Sequence, residues 1–191
     1  MRIVTSETPR TLRYAEQDRN RFGGRGGLSQ PVSAREKPIV LVDIDGTLAD
    51  VRHRLHHISG ERKKNWKAFF AGMDRDRPIA STVAWVQSLA QVHDIIMITG
   101  RPEAYRARTL AWLKKHEIPF ADVFMRRDGD HRPDYEIKKE ALQRWPKERI
   151  KLVIEDRPPV CDMWLQQGIR CVLVDSDEAN QAVNEIYRER S

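Results

Sequence analysis

The stretch VLVDIDGTLAD, residues 40–50, ends an apolar run in three aspartates within eight residues. Ile39 to Val42 read as a buried strand, where an unpaired carboxylate is costly. The end of the strand must therefore have a use for Asp43 and Asp45. Two residues apart on an extended chain, their side chains project to the same side, and Gly46 lets the backbone turn sharply after them. Two carboxylates this close repel unless a cation or a shared proton lies between them.

Beyond this strand the pattern alternates helix and strand. Pro78 is expected to open a helix with Ile79, Val83, Val86 and Leu89 at helical spacing, and HDIIMI follows as a second buried strand. Pro102 is expected at the first helical position after ITGR, with Tyr105, Thr109, Trp112 and Leu113 on one face. The strand ADVFM follows, then a helix from about Asp134 with Ile137, Ala141, Leu142 and Trp145 inward. RIKLVIE, a helix over Val160 to Gln167, and the strand CVLV complete the series. Such alternation predicts an α/β fold, a Rossmann-like parallel sheet with helices on both faces.

Ligands of such sheets bind beyond the carboxyl ends of the strands. Asp43 and Asp45, Thr99 with Gly100 and Arg101, and Glu155 with Asp156 all fall on that edge, and Lys138 lies one turn inside a helix that starts there. Asp43, Asp45 and Asp156 are an all-oxygen set suited to Mg2+, with Glu155 as a further candidate. A metal, a cationic clamp and hydroxyl or backbone donors together suit a phosphoryl group.

DIDGT at 43–47, the Thr of ITGR, Lys138 and the pair Glu155 and Asp156 resemble the four ordered motifs of the haloacid dehalogenase-like (HAD) phosphohydrolases. The resemblance covers residues 39 to about 175. It implies that Asp43 is the nucleophile and that Asp45 is the general acid and base. It further implies that Thr99 binds phosphoryl oxygens, that Lys138 neutralises the transferring group, and that Asp156 holds Mg2+ with Asp43 and the backbone carbonyl of Asp45. MRRDGDHRPDYEIKKE, residues 125–140, followed by EDRPPVCDMWLQQGIRCVLV, resembles the 3'-phosphatase domain of phage polynucleotide kinase-phosphatase. By that resemblance Arg101 and Asp134 join the active site; an i, i+4 ion pair between Asp134 and Lys138 is the plain alternative, and the two roles can coexist. The implied activity is removal of 3'-phosphate from nucleic-acid ends. A nucleotidase acting on small phosphate esters is the alternative, and a non-catalytic nucleic-acid-binding adaptor the remote one. A Glu stands at 155 where the phage domain has Asp, which leaves its metal role open. No P-loop occurs in this sequence, so a kinase acting alongside is expected to be a separate chain, and a ligase is a further candidate partner.

Residues 51 to 77 sit where the superfamily inserts a small cap. There Arg52, Arg54 and the histidines are expected to face the leaving group or its next phosphate, although His53, His56 and His57 also have a spacing that suits a transition metal. Trp66, Phe69 and Phe70 are expected to anchor the cap.

The chain has 191 residues and a net charge of +6, and its longest apolar runs fall far short of the roughly 18 residues that cross a bilayer. No membrane contact and a cytoplasmic location are expected. Residues 1–37 carry eight basic side chains against four acidic ones, with the glycine-rich RFGGRGGLSQP, and are expected to be a flexible basic arm preceding a phosphatase domain over 38–191. Such an arm is either a leader without a role or a contact for nucleic-acid phosphates. Cys161 and Cys171 are expected to be reduced, structural thiols.

Overall fold

A computed structural model of the protein describes residues 2–4, 37–60 and 63–174. Its first strands are β1 (Arg2–Val4) and β2 (Ile39–Val42). A short antiparallel pair, β3 (Ala49–Asp50) and β4 (Arg77–Pro78), brackets an insert. Within the insert lie a 3-10 helix at Arg52–His57, α1 (Trp66–Ala71) and a 3-10 turn at Met73–Arg75. Then come α2 (Ala80–Leu89), β5 (Asp94–Pro102), α3 (Arg106–Lys115) and β6 (Asp122–Arg126). The series closes with α4 (Asp134–Lys139), α5 (Ala141–Arg144), β7 (Ile150–Glu155), α6 (Pro158–Gln166) and β8 (Cys171–Leu173). The described residues belong to one compact unit.

The sheet order is β1-β8-β7-β2-β5-β6, in which β8, β7, β2, β5 and β6 are parallel and β1 is antiparallel at the edge. The pleat divides β2 between two cores. Val40 and Val42 pack with Val83 and Val86 of α2 and Trp112 and Leu113 of α3 on one face. Ile39 and Leu41 pack with Ala141 of α5 and Val160 and Trp164 of α6 on the other. Each aliphatic side chain buried this fully contributes about 1.5–3 kcal/mol. With both faces covered, the strands read as continuous apolar runs and polar residues are confined to their ends.

Several local expectations are corrected. Pro78 lies in β4, and α2 begins two residues later. Pro102 ends β5 instead of opening a helix: its extended backbone continues the strand, where its missing N–H costs nothing at the terminus. The helix expected from Asp134 through Trp145 is broken at Glu140 into α4 and α5. Arg2–Val4 of the expected flexible arm pair with Leu173, Val172 and Cys171, and residues 1 and 5–36 of it lie outside the described residues. Cys161 and Cys171 are joined in a disulfide, not reduced. Packing of α6 on β8 brings their Cα atoms to 5.5 Å, a spacing that only the tertiary structure sets.

Candidate active site

Asp43 is the first residue past β2, its N–H donating to the carbonyl of Ile154 on β7 at 2.9 Å. Gly46 then takes a positive φ of 90°, and a Cβ there would meet an Asp156 carboxylate oxygen at 2.1 Å. The glycine thus serves both the turn and the close approach of the acid that follows β7. Gly100, inside β5, serves a close approach alone: a Cβ there would meet Oδ1 of Asp134 at 2.6 Å.

These approaches gather two charged clusters. In the first, Nζ of Lys138 lies 2.7 Å from Asp43 Oδ1, 2.6 Å from Glu155 Oε2 and 3.1 Å from Asp134 Oδ2. Arg126 and Arg157 each reach Asp134 at 3.1 Å, so four carboxylates, with Asp156, face three cations. Burial, together with Glu155 and Asp134 and against the opposing pull of Lys138, pushes Asp43 well above the usual carboxylate range. Burial, then the charges of Glu155 and Asp43, does the same to Asp156. Burial also opposes ionisation of Asp134, but Lys138, Arg157 and Arg126 outweigh it and bring its pKa to about 2. Burial likewise opposes the charge of Lys138, and its three carboxylates hold it protonated.

Ligand oxygens of Asp43, Glu155 and Asp156 lie within 4.8 Å of one another, a group able to hold a metal ion. The fit to Mg2+ is good: the donors are all oxygens, buried, and short of positive charge. Both Glu155 oxygens already have partners, Lys138 on one and the N–H of Arg157 on the other. Asp156 accepts a long 3.3 Å contact from the Thr47 hydroxyl on one carboxylate oxygen. Asp43 and Asp156 are therefore the freer ligands.

The second cluster surrounds Asp45. Arg101 donates to it through Nε and Nη2, the latter at 2.5 Å, and Arg54 through Nη2 at 2.7 Å. Burial opposes its charge, yet Arg101 and Arg54 outweigh burial and hold Asp45 far below the usual carboxylate range. Asp76 closes the ring, accepting from Arg54 and Arg101 and lying 2.9 Å from His53 Nε2. Phe69 supports Arg54, whose guanidinium sits 4.1 Å from the ring centroid.

Asp43, Thr99, Gly100, Arg101, Asp134, Lys138, Glu155 and Asp156 thus converge at one sheet edge, and Arg54 reaches them from the insert. Thr99 is fully buried, its hydroxyl accepting from the N–H of Arg101 at 3.3 Å. Arg52 goes elsewhere, paired with Asp50 at 2.5 Å with its side chain 65 % exposed. Of the three histidines only His53 reaches the clusters; His56 and His57 pack ring to ring. Trp66, Phe69 and Phe70 form the insert's own core with Val51 and Ile58, and Phe70 touches Tyr105 of the body. Sequence reasoning missed Asp76 and gave no separate role to Thr47, Arg126 or Arg157, although Arg157 was placed with Glu155 and Asp156 at this edge. The two arginines stand inside the quoted motifs, but Asp76, in MDRDR, has no local signal.

Residues 37–178 match the family model described as the polynucleotide kinase PNKP phosphatase domain. Among solved structures, the chain is similar to a chain of the Pnkp1/Rnl/Hen1 complex, with 26 % identity and a TM-score of 0.60 over 74 % of this chain and 47 % of that one. A second structure, of the Pnkp1/Rnl/Hen1 RNA repair complex, agrees at 26 % identity and a TM-score of 0.60, over 76 % and 47 %. The chain therefore spans about half the length of these relatives. The putative HAD-hydrolase YfnB from Bacillus subtilis, bound to magnesium, shares the fold at 13 % identity and a TM-score of 0.54 over 75 % of this chain and 91 % of that one.

Proposed function

The chain belongs to the family of polynucleotide kinase-phosphatase phosphatase domains, within the HAD superfamily, and from that premise we propose that it is a Mg2+-dependent phosphatase of nucleic-acid 3'-phosphate ends. The observation that carries this reading is the carboxylate pair at the end of β2 with opposite environments: Asp43 faces Lys138 and the acid triad, while Asp45 is gripped by Arg54 and Arg101. Asp43 attacks in its ionised form, which Lys138 at 2.7 Å favours and a cation held by Asp43 and Asp156 would favour further, against burial and the neighbouring acids.

Asp43 attacks phosphorus, the bond to the 3' oxygen breaks, and that oxygen takes a proton from Asp45, leaving an aspartyl-phosphate and a free 3'-hydroxyl. Water then attacks phosphorus and gives its proton to Asp45, the bond to Asp43 breaks, and inorganic phosphate leaves. The ionised Asp45 favoured by the two arginines is the form that accepts the water's proton. An anionic phosphate near the same guanidiniums draws on their charge and favours the protonated form for the first half. Lys138 neutralises Asp43 and the incoming oxygens, and the Thr99 hydroxyl and backbone N–H groups bind the phosphoryl group. Asp43, Asp156 and the Asp45 carbonyl would hold Mg2+, with Glu155 held back by Lys138; the ion would supply positive charge to the phosphoryl oxygens. Asp134, clamped by Arg126 and Arg157, fixes Lys138.

The basic excess in residues 1–37 suits a polyanionic substrate. Rnl and Hen1 stand beside Pnkp1 in the complexes of the relatives, one of them an RNA repair complex, which supports partner chains that work on the same nucleic-acid ends. Among the described residues no helix is long and apolar enough to cross a membrane.

The test is phosphate release, with Mg2+ and with EDTA, from an oligonucleotide bearing a 3'-phosphate, its 5'-phosphate counterpart, and 3'- and 5'-mononucleotides. Metal-dependent release confined to 3'-phosphates, with the oligonucleotide a good substrate, is expected. Preference for a 5'-mononucleotide would move the function to nucleotide metabolism.

A further inference from the structure

Asp76 has no exposed side-chain surface, so it cannot touch a substrate, yet it is bound to both partners of Asp45. Arg54 donates to it through Nε at 2.8 Å and Nη2 at 2.7 Å, and Arg101 through Nη2 at 3.1 Å. Asp45, Arg54, Asp76 and Arg101 therefore form a ring of alternating charge. The backbone of Asp76 is itself tied down, its carbonyl accepting from Trp112 Nε1 at 2.9 Å and its N–H donating to Met73 at 3.1 Å.

Two guanidiniums meeting at one carboxylate repel each other, and each is buried. Their other side-chain contacts are weaker anchors: for Arg54 the Phe69 ring and carbonyl, for Arg101 the Thr109 hydroxyl at 3.4 Å, the Met73 sulfur at 3.7 Å and the Trp112 ring, 6.0 Å to its centroid. Among the ion pairs of the described residues, Asp76 is the second anion that both arginines share. We propose that Asp76 is a positioning residue, which holds Arg54 and Arg101 against Asp45 and through them sets the direction in which Asp45 meets the leaving oxygen. This rests on the reading of Asp45 as the proton donor.

A proton donor out of line matters in proportion to the basicity of the leaving group. A sugar alkoxide needs its proton in the transition state, whereas p-nitrophenolate leaves without one. A merely structural role for Asp76 predicts no such difference.

The experiment compares single-turnover release of the leaving group from a 3'-phosphorylated oligonucleotide and from p-nitrophenyl phosphate, with enzyme in excess, for wild type, Asp76→Asn, Asp76→Glu and Asp45→Asn. Single turnovers isolate the first half-reaction, so the shared hydrolysis step does not mask the difference. Asp76→Asn should slow the oligonucleotide by roughly 100-fold and p-nitrophenyl phosphate by less than about 3-fold, with half-saturation little changed. Asp76→Glu, which keeps the charge but moves it, should fall between Asn and wild type on the oligonucleotide. If Asp76→Asn does not fold, an oligonucleotide to p-nitrophenyl phosphate rate ratio in Asp76→Glu equal to that of wild type overturns the proposal. Equal losses on both substrates, or none, in folded Asp76→Asn overturn it as well. Asp45→Asn separates the two levels. If it shows the split and the Asp76 variants do not, the role of Asp76 fails and the donor reading stands; if Asp45→Asn slows both substrates alike, the donor reading fails and this proposal with it.

Discussion

Nζ of Lys138 lies 2.7 Å from Oδ1 of Asp43 although 95 residues of chain separate them. The pair is buried, and the same ammonium also serves Glu155 and Asp134. Removing it leaves three carboxylates without their shared cation, the situation in which breaking a buried pair costs about 3–5 kcal/mol. Lys138→Met is therefore expected to lower the melting temperature and to reduce turnover by roughly 100- to 1000-fold. Thermal melts and phosphate release check this, and a variant with wild-type turnover would remove Lys138 from the mechanism.

Metal binding is checked without any activity measurement. An ion at 100 times its Kd stabilises the folded chain by about 2.7 kcal/mol. For a chain of this size that raises the melting temperature by roughly 5–11 °C. Mg2+ should produce such a shift in wild type, and Asp156→Asn should lose most of it. An undiminished shift in the variant would place the ion elsewhere.

Arg126 spends its donors on the carbonyls of Gly100, Asp130 and Arg132 and on Oδ1 of Asp134. Lysine carries the charge but not the planar fork. Arg126→Lys should leave the fold intact and slow turnover by roughly 10- to 100-fold, because Asp134 and then Lys138 lose their placement. Circular dichroism with steady-state kinetics reads both parts. Turnover within about 2-fold of wild type would show that charge alone suffices.

Acid stability follows from Asp130. Hydrogen bonds from the Arg132 side chain and backbone bring its pKa from an ordinary 3.8 to about 2. A carboxyl whose pKa is lower in the folded chain binds its proton more readily when unfolded. Its contribution is present above about pH 4 and is lost as pH falls toward 2. Asp130→Asn should flatten the dependence of the melting temperature on pH between 4 and 2. A slope identical to that of wild type would mean that the pair with Arg132 does not persist in solution.

The strands were legible because parallel strands covered on both faces must be apolar throughout: IVLV and IIMI announce themselves, and their polar ends mark the site. The motif residues were legible because they break those apolar runs with charge and hydroxyl groups at one end of the sheet. The ends of the helices were less so, since Pro78 and Pro102 each suit a strand terminus as well as a first helical turn.

By itself the sequence determined the α/β alternation and the sheet edge at which Asp43, Asp45, Thr99, Lys138 and Asp156 gather, because strand ends and helix starts follow local pattern. Only the tertiary structure decided which charges neutralise which. The Cys161 to Cys171 bond, the return of Asp76 to Arg54 and Arg101, the pairing of Arg52 with Asp50, and the clamp of Arg126 on Asp134 depend on contacts between side chains brought together by folding. A charge carries no mark in the sequence of the partner it will meet, and burial, which sets how strongly that partner matters, exists only once the layers have packed.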